Sequence, residues 1–164
     1  MCSARVEFLL PADPAATERC GQWLGEHLRP GDVVALVGEL GAGKTTLVRG
    51  LARGLRVNDA EAICSPTYLL VVEHPGPVPL LHADAYLPDK LRGFLDDGGL
   101  EYLLDRRSVS VVEWGNLVQN YLPASTLWVE IGLAADGGRA VALRAGAATD
   151  FSWIAGGPKM SFRD

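Results

Sequence analysis

The stretch from Val33 to Gly50, VVALVGELGAGKTTLVRG, constrains this chain more than any other segment. It runs from an apolar stretch through a glycine-rich turn into a helical pattern. Asp32–Val37 holds three valines and no polar alternation, the composition of a strand buried on both faces. From Lys44 to Leu55, the residues Leu47, Val48, Leu51 and Leu55 recur on one stripe, which predicts an amphipathic helix. The turn between them, Gly38 to Thr45, fits G-x-x-x-x-G-K-[ST] at every position. Glycines let backbone N–H groups curl around a phosphate in dihedrals that a Cβ disfavours. The helix start adds its positive end, Lys44 a point charge for β- and γ-phosphates, and Thr45 a hydroxyl for Mg²⁺. The chain therefore reads as a nucleotide-binding protein.

The remaining segments say what kind of fold surrounds this cradle. Arg5–Leu10 reads as a short strand, and Asp13-Pro14 as the cap and first turn of a helix. That helix carries Ala16, Cys20, Trp23, Leu24 and Leu28 at helical spacing and stops at Arg29-Pro30-Gly31. Ser65–Glu73 is a turn leading into a strand, and Val78–Tyr86 is an apolar strand ending in polar residues. Pro88 to Asp105 holds two weak helical pieces parted by Gly98-Gly99. Ser108–Trp114 is another buried strand, and two strands around Asp136-Gly137-Gly138 form a β-hairpin. Buried strands alternating with helices predict an α/β three-layer sandwich around a mostly parallel central sheet, with the hairpin as an antiparallel edge. Residues 1–145 are expected to form one domain, and 146–164 a loosely ordered tail anchored by Phe151 and Trp153.

Composition narrows the function classes. At 164 residues the chain has room for one domain with a proper core. A net charge of -5 argues against autonomous, charge-driven nucleic-acid binding. No stretch approaches the roughly 20 apolar residues of a membrane span. The three cysteines, Cys2, Cys20 and Cys64, show no paired spacing and suit reduced thiols in a cytoplasm.

The nucleotide's identity and its other contacts are read from the strand ends. No Asn-Lys-x-Asp guanine reader occurs, which favours ATP over GTP. Mg²⁺ needs a further oxygen ligand, and Glu113 and Asp84 both end apolar strands, where ligands gather in open α/β sheets. Either carboxylate is a candidate to orient the attacking water. Thr67, in SPTY, lies in a loop after the cradle helix and is placed like a switch residue. Trp114 stacks on a base or a partner, or is core; His82 and Tyr86 bracket Asp84 and read as packing residues.

The pieces GELGAGKTTLVRGLARGL, SPTYLLV, LLHADAYL and VVEWGN, in this order, resemble the TsaE (YjeE) family of bacterial ATPases in tRNA threonylcarbamoyladenosine biosynthesis. The resemblance spans Val33 to Asn116. It implies a compact cytoplasmic P-loop ATPase, monomeric when free. Such a protein works with the TsaD–TsaB pair on the adenosine beside the anticodon, meets tRNA only through that complex, and involves no membrane. Slow hydrolysis, coupled to the partners, resets or activates them between turnovers.

Carried over onto this chain, Leu40, Gly41, Ala42, Gly43, Lys44 and Thr45 bind phosphates with Thr46 beside them. Thr45 and Glu113 hold Mg²⁺, Asp84 is a second acid for metal binding or hydrolysis, and Thr67 belongs to the switch-like loop. Trp114 lies near the nucleotide or the partner face. Gly138, Arg139 and the helix containing Thr17 border the nucleotide pocket. One departure is visible: Leu87 follows Tyr86 where the family often has Arg, so any contact of that Arg is not carried over. Two other readings of the cradle stand beside this one. The first is a small-molecule or nucleoside kinase, which needs an acceptor pocket and an Arg-rich lid. The second is a module that binds ATP without hydrolysing it at any useful rate.

Overall fold

A computed structural model of the chain describes residues 5–146 and 151–157. The described residues contain seven strands in one sheet: β1 (Arg5–Leu10), β2 (Val33–Val37), β3 (Val71–His74), β4 (Leu80–Asp84), β5 (Val109–Glu113), β6 (Leu127–Leu133) and β7 (Arg139–Arg144), in the spatial order β1-β7-β6-β2-β5-β4-β3. The four central strands pair in parallel: β6 with β2, β2 with β5, and β5 with β4. The hairpin β6–β7 supplies the expected antiparallel edge and carries β1 beyond it. The opposite edge is antiparallel as well, because β3 turns back along β4 after HPGPVP. Proline punctuation signals that turn, but not the direction in which the strand rejoins the sheet.

Helices cover both faces, as a sheet buried on both sides requires. On one face lie α1 (Pro14–His27) and α2 (Lys44–Gly54). They bury Leu24, Leu47 and Leu51 against Leu36 of β2, Val111 of β5 and Val129 of β6. On the other lie α3 (Pro88–Phe94) and α4 (Leu100–Leu103), joined through a wide turn at Leu95–Gly99 that kinks at Gly98 (φ +97°). These pack Leu91 and Leu103 on Leu81, Ala83 and Val112. Asp13 caps α1 by accepting from the Ala15 N–H at 3.0 Å. No helix among the described residues is long and apolar enough to cross a membrane.

The helix that carries the cradle is held by contacts between glycines and backbone. Gly21 and Gly25 of α1, and Gly50 and Gly54 of α2, are each four residues apart, so each pair lies on one face of its helix. A Cβ at Gly21 would stand 2.1 Å from Leu47 O, and one at Gly50 would stand 1.9 Å from Glu18 O. The two backbones thus approach more closely than any side chain allows. Arg49 and Arg53 of α2 then reach across to Glu18 of α1.

Gly156 ends a short 3₁₀ segment, Ser152–Gly156, that lies against α1. Phe151 and Ile154 are buried there, and Trp153 meets Trp23 edge-on at 5.3 Å and stacks on His27 at 4.9 Å. The expectation of a loosely ordered tail over 146–164 also takes in residues 147–150 and 158–164, which lie outside the described residues.

Candidate functional site

The turn after β2 has the backbone conformation that its glycines predict. Gly41 and Gly43 adopt φ of +78° and +110°, the left-handed region open chiefly to glycine. Gly43 is the N-cap of α2 and offers no side chain to the helix, so the first N–H groups of α2 have no side-chain cap. An uncapped N-terminus behind a glycine turn is an anion seat, combining free N–H donors with the positive end of the helix dipole.

The Lys44 ammonium folds back over this turn. It donates to Gly38 O at 2.6 Å and Glu39 O at 2.9 Å, and lies 4.2 Å from the Trp114 ring centre. Its partners are dipoles and a π face. Burial pushes the ammonium below its usual range, while Glu113, Asp84 and Glu39 pull the other way. Trp114 holds its ring here from a left-handed backbone (φ +57°), a conformation that costs about 1–3 kcal/mol in a bulky residue. Tyr86 packs on that ring at a tilt, with ring centres 5.5 Å apart.

Glu113 ends β5 beside the cradle strand, and its carboxylate is buried at 2% exposure. Thr45 Oγ1 donates to Glu113 Oε1 at 2.8 Å, and His82 Nε2 donates to Glu113 Oε2 at 2.8 Å. Asp84, paired in register with Glu113, ends β4 and turns to the neighbouring loop. Its Oδ2 accepts from the Ser65 hydroxyl and from Thr67 Oγ1, the latter at 3.1 Å; its Oδ1 accepts from the Tyr86 N–H at 2.7 Å. The two strand-end acids thus differ in employment: Glu113 ties the sheet to the cradle, and Asp84 ties the sheet to the 65–68 loop.

The residues singled out from the sequence converge to a large extent. Leu40, Gly41, Gly43, Lys44, Thr45, Thr46, Thr67, Asp84, Glu113 and Trp114 line one cleft of about 520 Å³. Gly41, Gly43 and Thr46 also border an adjoining hollow of about 240 Å³ that reaches Asp13, Thr17, Gly137 and Arg139. Ala42 stays out of the cleft; its carbonyl accepts from Arg139 Nε at 2.7 Å, which pins the hairpin to the back of the cradle. Gly138 is absent from both linings and instead packs on Leu10, whose carbonyl lies 2.2 Å from where its Cβ would be. A groove of similar size, about 580 Å³, lies along β1, β6 and β7, and lacks both the uncapped helix start and the strand-end acids.

Four contributors were not singled out as site residues, Tyr68 among them, which lines the cleft. Ser65 sits in the same SPTY turn as Thr67, and its hydroxyl reaches Asp84 across 19 positions of sequence, which no local pattern reveals. His82 bonds to Glu113, and Tyr86 lines the cleft. For His82 a signal existed. Leu80, His82 and Asp84 alternate onto one face of β4, so a cradle-facing Asp84 puts His82 on that face too.

Residues 11–141 match the family described as threonylcarbamoyl adenosine biosynthesis protein TsaE. Among curated relatives, the tRNA threonylcarbamoyladenosine biosynthesis protein TsaE of Treponema pallidum is 40% identical over 76% of this chain and 90% of its own length. That of Bacillus subtilis is 34% identical, with 81% of this chain and 82% of the relative covered. The crystal structure of Bacillus subtilis YdiB superposes with a TM-score of 0.67 at 28% identity, covering 89% of this chain and 88% of that one.

Proposed function

The chain belongs to the TsaE family, whose role lies in tRNA threonylcarbamoyladenosine biosynthesis, and from that premise we propose that it is a Mg²⁺-dependent ATPase serving the TsaD–TsaB pair. The observation that carries the reading is the Thr45–Glu113 bond of 2.8 Å. It joins the hydroxyl of the cradle motif to the acid of the adjacent parallel strand, the two hard oxygens a phosphate-bound Mg²⁺ takes from a protein. Among the described residues no group of three or more His, Cys, Asp and Glu is placed to hold a metal ion. That suits an ion that arrives with the nucleotide and keeps most of its shell from phosphates and water. Such an ion, held by Thr45 and Glu113, would supply positive charge against the phosphate oxygens.

The chain's own residues divide the remaining work. The N–H groups of Leu40, Gly41 and Gly43 to Thr46 receive the phosphates. Lys44 exchanges the Gly38 and Glu39 carbonyls and the Trp114 face for phosphate oxygens, a stronger, charge-assisted contact. Glu113 stays on the metal side. Asp84, the loop-side acid, orients the attacking water. The γ-phosphate competes with Asp84 for the Thr67 hydroxyl, so loop 65–68 senses which nucleotide is present. The adjoining hollow beside Thr17 and Arg139 takes the base and ribose. Partner proteins, and tRNA through them, read the loop and the Trp114 side of the cleft; the site of action is the cytoplasm.

Steady-state hydrolysis by the purified protein tests this reading. Glu113→Ala and Asp84→Ala should each lower the rate by at least about 10²-fold, the usual scale of removing a metal-side or water-orienting group. Unchanged rates in both variants with partner binding retained would make hydrolysis incidental. Phosphoryl transfer to a metabolite rather than to water would favour a kinase instead.

A further inference from the structure

Glu113 is held by two donors, and only one of them belongs to the cradle motif. The second is His82, fully buried on β4 and one strand away. Its Cα partner on β5 is Val111, so the ring reaches diagonally, two residues along the neighbouring strand, to Glu113 Oε2 at 2.8 Å. A carboxylate accepts, so the ring donates from Nε2–H. Among the described residues, His82 Nδ1 is buried without a hydrogen-bond partner, and the His74 ring lies beside it with ring centres 6.3 Å apart.

We infer that His82 is a positioning residue for the metal-side acid: its Nε2–H fixes the rotation of the Glu113 carboxylate so that Oε1 faces Thr45 and the metal. The inference rests on the Mg²⁺-ATP reading given above. The terminal torsion of a Glu side chain is broad and two-fold, so one hydrogen bond, from Thr45, leaves the carboxylate free to swing. Lys44 lies close enough to attract it. Anchoring Oε2 on the side away from the cradle removes that alternative and keeps Oε1 on the Thr45 side. The ring N–H supplies a partner to a buried carboxylate oxygen, which is costly to leave unpaired. The arrangement mirrors the outer-shell hydrogen bonds that orient metal-ligating side chains elsewhere, whose removal costs about 10–100-fold in metal affinity.

The test separates the nucleotide from the metal. ATP-analogue binding is measured in EDTA, and Mn²⁺ binding to the protein–nucleotide complex by loss of the free Mn²⁺ electron paramagnetic resonance signal. The proteins compared are the unsubstituted chain, His82→Leu and His82→Gln. The Gln amide places an N–H near the position of Nε2. Expected are equal nucleotide affinities in EDTA, about 10–100-fold weaker Mn²⁺ binding for His82→Leu, and recovery to within a few-fold for His82→Gln. Equal Mn²⁺ affinity in all three would overturn the positioning role while leaving the ATPase reading intact. A Gln variant as weak as the Leu variant would overturn it too, since shape and not the donor would then matter. If the unsubstituted protein–nucleotide complex binds no Mn²⁺, the ATPase reading fails and the inference falls with it. A measurement on the unsubstituted protein guards against misfolded variants. Ring ¹⁵N spectra should show a proton on His82 Nε2; a ring bare at Nε2 would refute the inference.

Discussion

Replacing Gly50 with Ala probes the closest contact between the cradle helix and its neighbour. An ideal Cβ at this position would stand 1.9 Å from Glu18 O and 2.8 Å from Glu18 Cα. Both are backbone atoms of a packed helix, so no side chain can swing away to make room. Relief requires α1 and α2 to part by about 1 Å, and a gap of that size forfeits a quarter to a half of each dispersion contact across it. Leu24, Leu47, Val48 and Leu51, all buried at this seam, share the loss. Overpacking of this kind costs about 1–3 kcal/mol, occasionally more. Against it stands the gain from removing a glycine from a helix interior, about 0.5–1 kcal/mol. The clash wins, because rigid backbone opposes it over several contacts. The net expectation is a loss of about 1 kcal/mol, or a Tm lower by about 2–4 °C for a domain of this size.

Gly93→Ala is the matched control: it lies in α3, with nothing within 4 Å of an added Cβ, and should gain about 0.4–1 kcal/mol. Urea unfolding followed by circular dichroism measures both. A Gly50→Ala protein as stable as the parent, or more stable, would refute the glycine-mediated packing of α2.

Three further outcomes follow from other parts of the molecule. Burial pushes the Cys20 thiol up to about 12, whereas Cys64 is exposed; peptide mapping after brief alkylation of the folded protein at pH 8 should therefore find Cys64 labelled and Cys20 protected until denaturant is added. The Asp105 carboxyl is pulled down from 3.8 to about 2, chiefly by its hydrogen bond with the Arg107 side chain. Because its folded value is depressed, that ion pair's contribution is complete above about pH 4 and is lost as pH falls through about 2. Arg107→Ala should return the Asp105 midpoint seen by NMR toward 3.8, with little change in global stability because the pair is exposed. Asp84→Ala removes the anchor of Ser65 and Thr67. The Leu70 N–H, which donates to Pro66 O at 2.8 Å within that loop, should then exchange at least about tenfold faster, as hydrogen bonds to a charged group are worth about 1.5–3 kcal/mol. Unaltered exchange would mean that the loop holds its own shape.

Much of this was legible because the strongest patterns are local. The valine run of β2, the glycine turn and the Leu47–Leu51 stripe each declare an element within a few residues, and their order identifies the cradle. Asp84 and Glu113 were legible as strand-end acids because a parallel sheet gathers such ends on one rim. Their division of labour was not, since it depends on Ser65, Thr67 and His82, which approach only through the fold. The glycines at the α1–α2 seam were invisible for a related reason. A periodicity reading follows apolar side chains, and a four-residue glycine spacing gains meaning only once two helices are known to touch. The antiparallel course of β3 likewise rests on pairing with β4, and a four-residue strand carries no mark of direction.

The proposed coupling of nucleotide turnover in this cleft to tRNA modification is open to a reconstituted assay. The most direct measurement is multiple-turnover formation of threonylcarbamoyladenosine on tRNA by TsaD, TsaB and the adenylate-forming synthase, with this chain added in limiting amounts. The unsubstituted protein with Mg²⁺-ATP should restore repeated turnover, and Lys44→Ala, which removes the ammonium held by Gly38 and Glu39, should not. Full restoration by Lys44→Ala, or none by the unsubstituted protein, would contradict a role for nucleotide turnover in this cleft.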